Sequence, residues 1–269
     1  MKGRKNLRAI TGKMVLMLVL SCLLGVSSAS AQGWHFGIGT GLKRANAQGD
    51  QGWNIPELGP VQLDIELDPD DFDDLIQTAI GFGGYATNGK WMVQFMLASI
   101  KMGDEPSGTL PNAGTTFTSD LSFDVTTGHV TVGYTAYRQN RIVVQPFVGL
   151  RYFKHELGAD LTVATTPPTA SSRGFDNNWT DVLVGAALNV ALSSKVNWNT
   201  SFDAGFGGSN GTFNLTTGIS WRFWRYMSIG PNFSFMAIDF ENGERGDSDW
   251  YLYDANEFGV GANFMIHLK

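Results

Sequence analysis

The chain has 269 residues, with 19 Lys and Arg against 25 Asp and Glu, a net charge of −6 and a single cysteine. The acidic balance argues against nucleic acid as a partner, and one cysteine excludes a disulfide framework. Nine prolines, 33 glycines and a mean hydropathy near zero leave a folded, glycine-rich domain as the reading.

Residues 1–31 read as an export signal. Lys2, Arg4, Lys5, Arg8 and Lys13 precede the apolar run MVLMLVLSCLLGV, and Ala29-Ser30-Ala31 is a small-x-small cleavage site, which puts the mature start at Gln32. The stretch VLSC (19–22) loosely resembles a lipoprotein box, but apolar sequence continues past Cys22, and cleavage after Ala31 is the better reading. Cleavage removes five positive charges, no negative ones and the only cysteine. It leaves 238 residues with 14 cations against 25 anions, net −11, and no thiolate for catalysis or metal binding.

From Gln32 onward, period-2 alternation dominates. GWHFGIGTGLK sets Trp34, Phe36, Ile38 and Leu42 on one face against His35, Gly37, Gly39, Gly41 and Lys43. KWMVQFMLAS groups Trp91, Val93, Phe95 and Leu97. TDVLVGAALNVAL groups Val182, Val184, Ala186, Leu188 and Val190. In FDAGFGGSNGTFNLTTGISWRF the large residues are Phe202, Phe206, Phe213, Leu215, Ile219, Trp221 and Phe223. EFGVGANFMIHL closes the series with Phe258, Val260, Ala262, Phe264, Ile266 and Leu268. The opposite faces carry Gly, Ser and Asn, which suits a narrow lumen, where a soluble protein's outer face would show Lys and Glu.

Connection lengths alternate as well. Short links stand at 87–90, 138–141, 193–195 and 223–226, and longer segments at 44–75, 103–117, 158–178 and 241–250, with a brief one at 207–211. The pattern predicts an all-β, transmembrane, antiparallel up-and-down barrel spanning 32–269 as one domain. Its ten strands are 33–43, 75–87, 90–102, 118–138, 141–157, 179–192, 196–206, 212–223, 227–240 and 251–268. If VQLDIEL (61–67) also crosses the bilayer, the count is twelve; otherwise it extends a hairpin outside. Trp34, Trp91, Trp198, Trp221 and Trp224 fall beside the termini or short turns and form one aromatic girdle, with Trp179 and Trp250 marking a second at the outer strand ends.

The segments WTDVLVGAAL, FDAGFGGSNGTFNL, VGLRYF and GVGANF resemble a largely uncharacterised, porin-like family of small bacterial outer-membrane barrels, over most of 75–268. The resemblance implies fold and location, with no agreed activity. It also implies outer-membrane lipid and lipopolysaccharide as surroundings and the barrel insertion machinery as a partner. That machinery reads a terminal aromatic residue; here the chain ends FMIHLK, with Phe264 and Leu268 in its place.

Chemistry-bearing residues are sparse. DIELDPDDFDDL (64–75) lacks the turn glycine of a calcium loop and reads instead as the start of a short helix, with Asp68 as cap and Pro69 at the first helical position. No metal or cofactor site is expected. A lipid hydrolase needs a histidine beside a hydroxyl; His129 and Thr131 share a strand face, with threonine a poor nucleophile there. His35 and His267 lie close to the short-turn rim on the first and last strands, where a mutual or water-mediated contact is expected, and His155 lies towards a loop. Parity places Arg151, Asp181, Asp203, Arg222 and Glu257 in the lumen, with Gln94 and Asn214. Arg151 and Asp181 are the expected ion pair. These charges serve either as a constriction for small solutes or as a salt-bridged plug. The expected function is a narrow passive pore for small solutes or a monomeric structural membrane protein; the alternatives are an outer-membrane lipid hydrolase, with His129 as its base, and surface recognition through the 44–75 and 158–178 loops.

Overall fold

Alternating apolar residues that face lipid force the backbone to satisfy every N–H and C=O between strands, and a closed barrel is the arrangement that leaves no edge. The computed structural model describes residues 33–55, 59–67, 76–104, 107–109, 116–163 and 169–268. The signal-peptide reading (1–31) and the short helix expected at 68–75 lie outside the described residues.

The described residues form thirteen strands: β1 (His35–Ile55), β2 (Gly59–Leu67), β3 (Ile76–Thr87), β4 (Trp91–Asp104), β5 (Ser107–Thr109), β6 (Thr116–Tyr134), β7 (Tyr137–Gln139), β8 (Ile142–Val163), β9 (Thr169–Ala191), β10 (Val196–Phe206), β11 (Gly211–Trp224), β12 (Met227–Asn242) and β13 (Tyr251–Leu268). Ten of them close into an antiparallel ring in the order β1, β3, β4, β6, β8, β9, β10, β11, β12, β13, and β13 pairs back onto β1 from Phe36↔Leu268 to Trp53↔Tyr251. β2 pairs with the distal half of β1 (Ala47↔Leu67 to Ile55↔Gly59) while β3 takes the proximal half (His35↔Thr87 to Thr40↔Phe82). VQLDIEL therefore adds a strand to the protruding wall, and the ring holds ten strands.

The short links are tight turns with a local cause. Asn88 Oδ1 accepts from the Lys90 and Trp91 amides at 3.0 and 2.8 Å, and Gly89 supplies the positive φ of 82° beside it. Ser193 Oγ likewise accepts from the Lys195 and Val196 amides at 3.2 and 3.1 Å.

The other end differs from the expected long loops. β8 and β9 stay paired from Ile142↔Val190 to Val163↔Thr169, and β1 runs to Ile55, so much of 44–75 and 158–178 is strand. Outward apolar alternation stops where the bilayer stops, but the backbone ladder does not depend on it and continues with polar residues on both faces. The wall is thus tall at β1, β6, β8 and β9 and low at β10–β11, whose turn occupies 207–210.

Candidate functional site in the lumen

Parity divides each strand as the sequence requires. Leu42, Val148, Val184, Phe202, Phe213 and Val260 are exposed on the outer face (78% for Leu42, 64% for Val260), whereas Arg151, Asp181, Leu183 and Asp203 are buried on the inner one. Glycines on the inner face give neighbouring rings room. A Cβ on Gly37 would lie 2.3 Å from the Tyr85 ring, and one on Gly185 2.6 Å from the Phe147 ring.

The buried polar centre sits on β8–β11. Arg151 Nη2 donates to Asp203 Oδ1 at 2.7 Å, and Asn214 Nδ2 donates to Asp203 Oδ2 at 2.9 Å. Asp181 stands directly opposite Arg151 in the ladder, yet it is not its partner. Its carboxylate accepts from the Gly208 and Ser209 amides at 3.0 and 2.8 Å, from Ser209 Oγ at 2.8 Å and from Thr212 Oγ1 at 3.3 Å. The expected Arg151–Asp181 pair is therefore corrected to Arg151–Asp203. Asp181 is saturated by the 207–210 turn, which folds over β9, and its negative charge is held by amide dipoles instead of a cation. Glu257 accepts from the Tyr253 hydroxyl at 2.9 Å, and Gln94 is half-buried on β4.

Above this centre, the inner face becomes aromatic. Trp179 on β9 is stacked between Phe153 on β8 (5.0 Å, 23°) and Phe240 on β12 (3.9 Å, 10°), with Ile238, Tyr251, Tyr253 and Ala255 completing a buried cluster. Trp179 lies beyond the end of the β9–β10 ladder (Phe206↔Val182), and Phe240 lies beyond the end of the β11–β12 ladder (Gly211↔Asp239). The stack thus closes the notch left by the low β10–β11 hairpin. Outside, at the same height, the wall turns polar with Lys154, Glu156, Asn178 and Asp239, so the cluster caps the lumen just beyond the apolar belt.

His155, near the outer end of the predicted strand 141–157, is the polar heart of this cap. Its Nδ1 hydrogen bonds the Tyr251 hydroxyl at 2.8 Å, and Gln51 Nε2 donates to that hydroxyl at 3.4 Å. The other ring nitrogen, Nε2, is buried and has no hydrogen-bond partner among the described residues. Phe123, Trp179 and Tyr253 surround the ring in T-shaped contacts at 5.3, 4.9 and 4.7 Å, the arrangement in which a ring edge meets a π face.

Trp179 and Trp250 are 5% and 1% exposed, so they do not form an outer girdle. Trp179 shares its parity with Asp181 and Leu183, the signal that placed it inside. At the short-turn rim Trp91, Trp198, Trp221 and Trp224 are exposed and Trp34 is half-buried.

At that rim His267 contacts Tyr85 and Ser228 in place of His35: Nδ1 lies 2.7 Å from the Tyr85 hydroxyl and Nε2 2.8 Å from Ser228 Oγ. Arg222 is exposed and close enough to act electrostatically on both Tyr85 and His267. His129 faces the lumen opposite Arg151 in the ladder and makes no hydrogen bond to Thr131 or to any serine. On the wall from β11 through β13 and β1 to β4, several inward residues below the cap are open to solvent, although Gly37 and Ser228 are buried. Lys43, Arg222 and Asn263 are exposed, and Gly39, Gly41, Gln94, Met96 and Gly261 are half-buried. Among the described residues no group of three or more His, Cys, Asp or Glu is placed to hold a metal ion.

No protein-family model and no curated protein matches the chain. Solved structures do. The outer membrane protease OmpT of Escherichia coli aligns over 89% of this chain and 98% of its own, at 6% identity and a TM-score of 0.54. The translocator domain of the autotransporter NalP of Neisseria meningitidis aligns over 95% and 97% at 10% identity and 0.37. The toluene transporter TodX of Pseudomonas putida aligns over 89% and 91% at 7% and 0.35. At such identity the OmpT likeness shows the fold alone. The ten-strand ring with its outward apolar belt has the closed antiparallel barrel fold of that outer-membrane protein.

Proposed function

We propose that the protein is a narrow passive pore for small solutes, acting as a monomer in the bacterial outer membrane, with its restriction at the aromatic cap. The observation that supports this reading is the uneven lumen. Arg151 and Asp203 on β8 and β10 are buried and paired, and Asp181 on β9 is held by the 207–210 turn, whereas Lys43 on β1, Arg222 at the short-turn end of β11 and Asn263 on β13 are inward and exposed. Exposed polar residues on an inner face suit the passage of small polar solutes. The protease activity in the name of OmpT does not carry over at 6% identity.

Single-channel recording in planar bilayers tests the reading. The expected result is small, discrete conductance steps from the purified chain. Steady silence under the same conditions would instead make the barrel a structural membrane protein.

A further inference from the structure

The charges of this chain are sorted along the barrel axis. The stretches 32–49, 75–103, 125–155, 182–202, 204–238 and 258–269 contain no Asp or Glu, and every short turn lies within one of them. Those turns nevertheless carry Lys90, Arg138, Arg141, Lys195 and Arg225, while the acids among the described residues lie in the middle or at the tall end. None of the five cations is paired with a carboxylate in the structure; the ion pairs found among the described residues are Lys101–Asp124, Arg151–Asp203 and Lys154–Glu156.

The same rim is where aromatic side chains face outward. Trp91, Tyr134, Trp221, Trp224 and Tyr226 are 38–59% exposed. Cations and rings are interleaved: Lys90 Nζ lies 5.7 Å from the Tyr134 ring centre, Arg225 lies over Tyr226 at 5.1 Å, and Trp91 meets Tyr134 edge-on at 5.0 Å. Arg138 and Arg141 brace the collar by donating to the Gly89 and Leu192 carbonyls at 2.8 and 3.2 Å, which holds their charge at the rim.

We infer that this collar binds the anionic phospholipid headgroups of the leaflet at the short-turn end, the periplasmic leaflet. The aromatic residues fix the level as a membrane interface, since Trp and Tyr partition to the headgroup region. An unpaired cation at that level sits within reach of lipid phosphate, whereas a soluble polyanion would meet it only from the open end. The acid-free turns leave the local field positive although the whole chain is negative, so anionic lipid is drawn to one end of the barrel and repelled from the other. The inference rests on the barrel being membrane-inserted but not on its being a pore.

The test is refolding of the full chain into nanodiscs of phosphatidylcholine alone and of phosphatidylcholine mixed equally with phosphatidylglycerol, followed by native mass spectrometry of the lipids retained after mild delipidation. Barrel formation in the neutral nanodiscs, read by circular dichroism, checks the membrane reading separately. Retained phosphatidylglycerol is expected to exceed its bulk share, by about fivefold for each cation that keeps its contact, and to fall as salt is raised. The triple variant Lys90→Gln, Lys195→Gln, Arg225→Gln should lose most of that excess, and the corresponding Lys90→Arg, Lys195→Arg protein should keep it. Retained lipid matching the bulk mixture in the parent protein, or an excess untouched by salt and by the triple variant, overturns the inference.

Discussion

Two walls of one lumen are built on different principles. From β8 to β9, and across the notch to the tops of β12 and β13, the inner face is packed like a soluble core: Leu183, Ile238, Tyr251 and Asp181 are at most 2% exposed, and Trp179 lies between two stacked rings. From β13 through β1 to β4, the inner face below the cap carries glycine, asparagine, methionine and lysine and is exposed at Lys43 and Asn263. The ladder of backbone hydrogen bonds is common to both, so it cannot be the source of the difference. Side-chain volume is. Where inward positions are large, they meet across the low β10–β11 hairpin and exclude water; where they are glycine, as at Gly39, Gly41 and Gly261, the strand holds its place in the ring and leaves the interior free. The difference puts the buried packing in one wall and the proposed passage along the other, and it can be broken at either.

The largest effect belongs to the cap. Trp179→Ala removes the ring between Phe153 and Phe240 and opens the notch above the 207–210 turn. The expected loss is about 4 kcal/mol of unfolding free energy, within the range for truncating a buried tryptophan. It is measured by urea titration of the folded barrel in detergent micelles. The same variant should conduct in larger steps than the parent. A variant of unchanged stability would show that the cap is not a packed core.

The next effect separates the two carboxylates of the filled wall. Arg151→Ala strands the Asp203 carboxylate in a buried site with Asn214 alone, and is expected to cost about 3 kcal/mol. Adding Asp203→Asn should restore part of the loss, because the uncompensated charge is removed with its partner. Asp181→Asn should cost about 1–2 kcal/mol by weakening its hold on the Gly208 and Ser209 amides, and should add to Arg151→Ala without coupling. Coupling of Arg151 to Asp181 and not to Asp203 would reverse the assignment made from the 2.7 Å contact.

How far these features could be read from sequence follows from where the alternation has a physical cause. In the belt, lipid demands an apolar side chain at every second position, so the outward faces of β1, β4, β9, β11 and β13 are legible residue by residue, and so is the ring of ten. Beyond the belt both faces are free to be polar. Residues 158–163 and 169–178 carry no such signature and read as loop, although they are strand. The candidate charges are legible as inward by parity, but their partners are not. Parity cannot say that the Arg151 side chain passes over β9 to a carboxylate on β10, nor that a glycine-rich turn folds in to occupy Asp181. The cap was partly within reach: Arg151, Phe153 and His155 share one parity, as do Tyr251, Tyr253, Ala255 and Glu257. What joined the two sets was the shortness of β10 and β11, which brings β9 and β12 side by side above them.

The smallest expected effect on stability is also the most direct probe of the open wall. Asn263 points into the lumen on β13 and is exposed, and its ladder partners are Gly41 on β1 and Gly230 on β12. A ring introduced by Asn263→Trp can lie over Gly41, where no Cβ stands in its way, in the manner that Tyr85 already lies over Gly37. No buried partner is lost, since no side chain bonds to Asn263 among the described residues. Unfolding free energy should therefore shift by less than about 0.5 kcal/mol, as for substitutions at open positions. Conductance should fall clearly, because an indole occupies space that water now reaches. A large loss of stability would mean that the β13–β1 wall is packed after all. An unchanged conductance would mean that solutes do not pass along it, leaving a barrel whose wet side ends blind beneath the Trp179 cap.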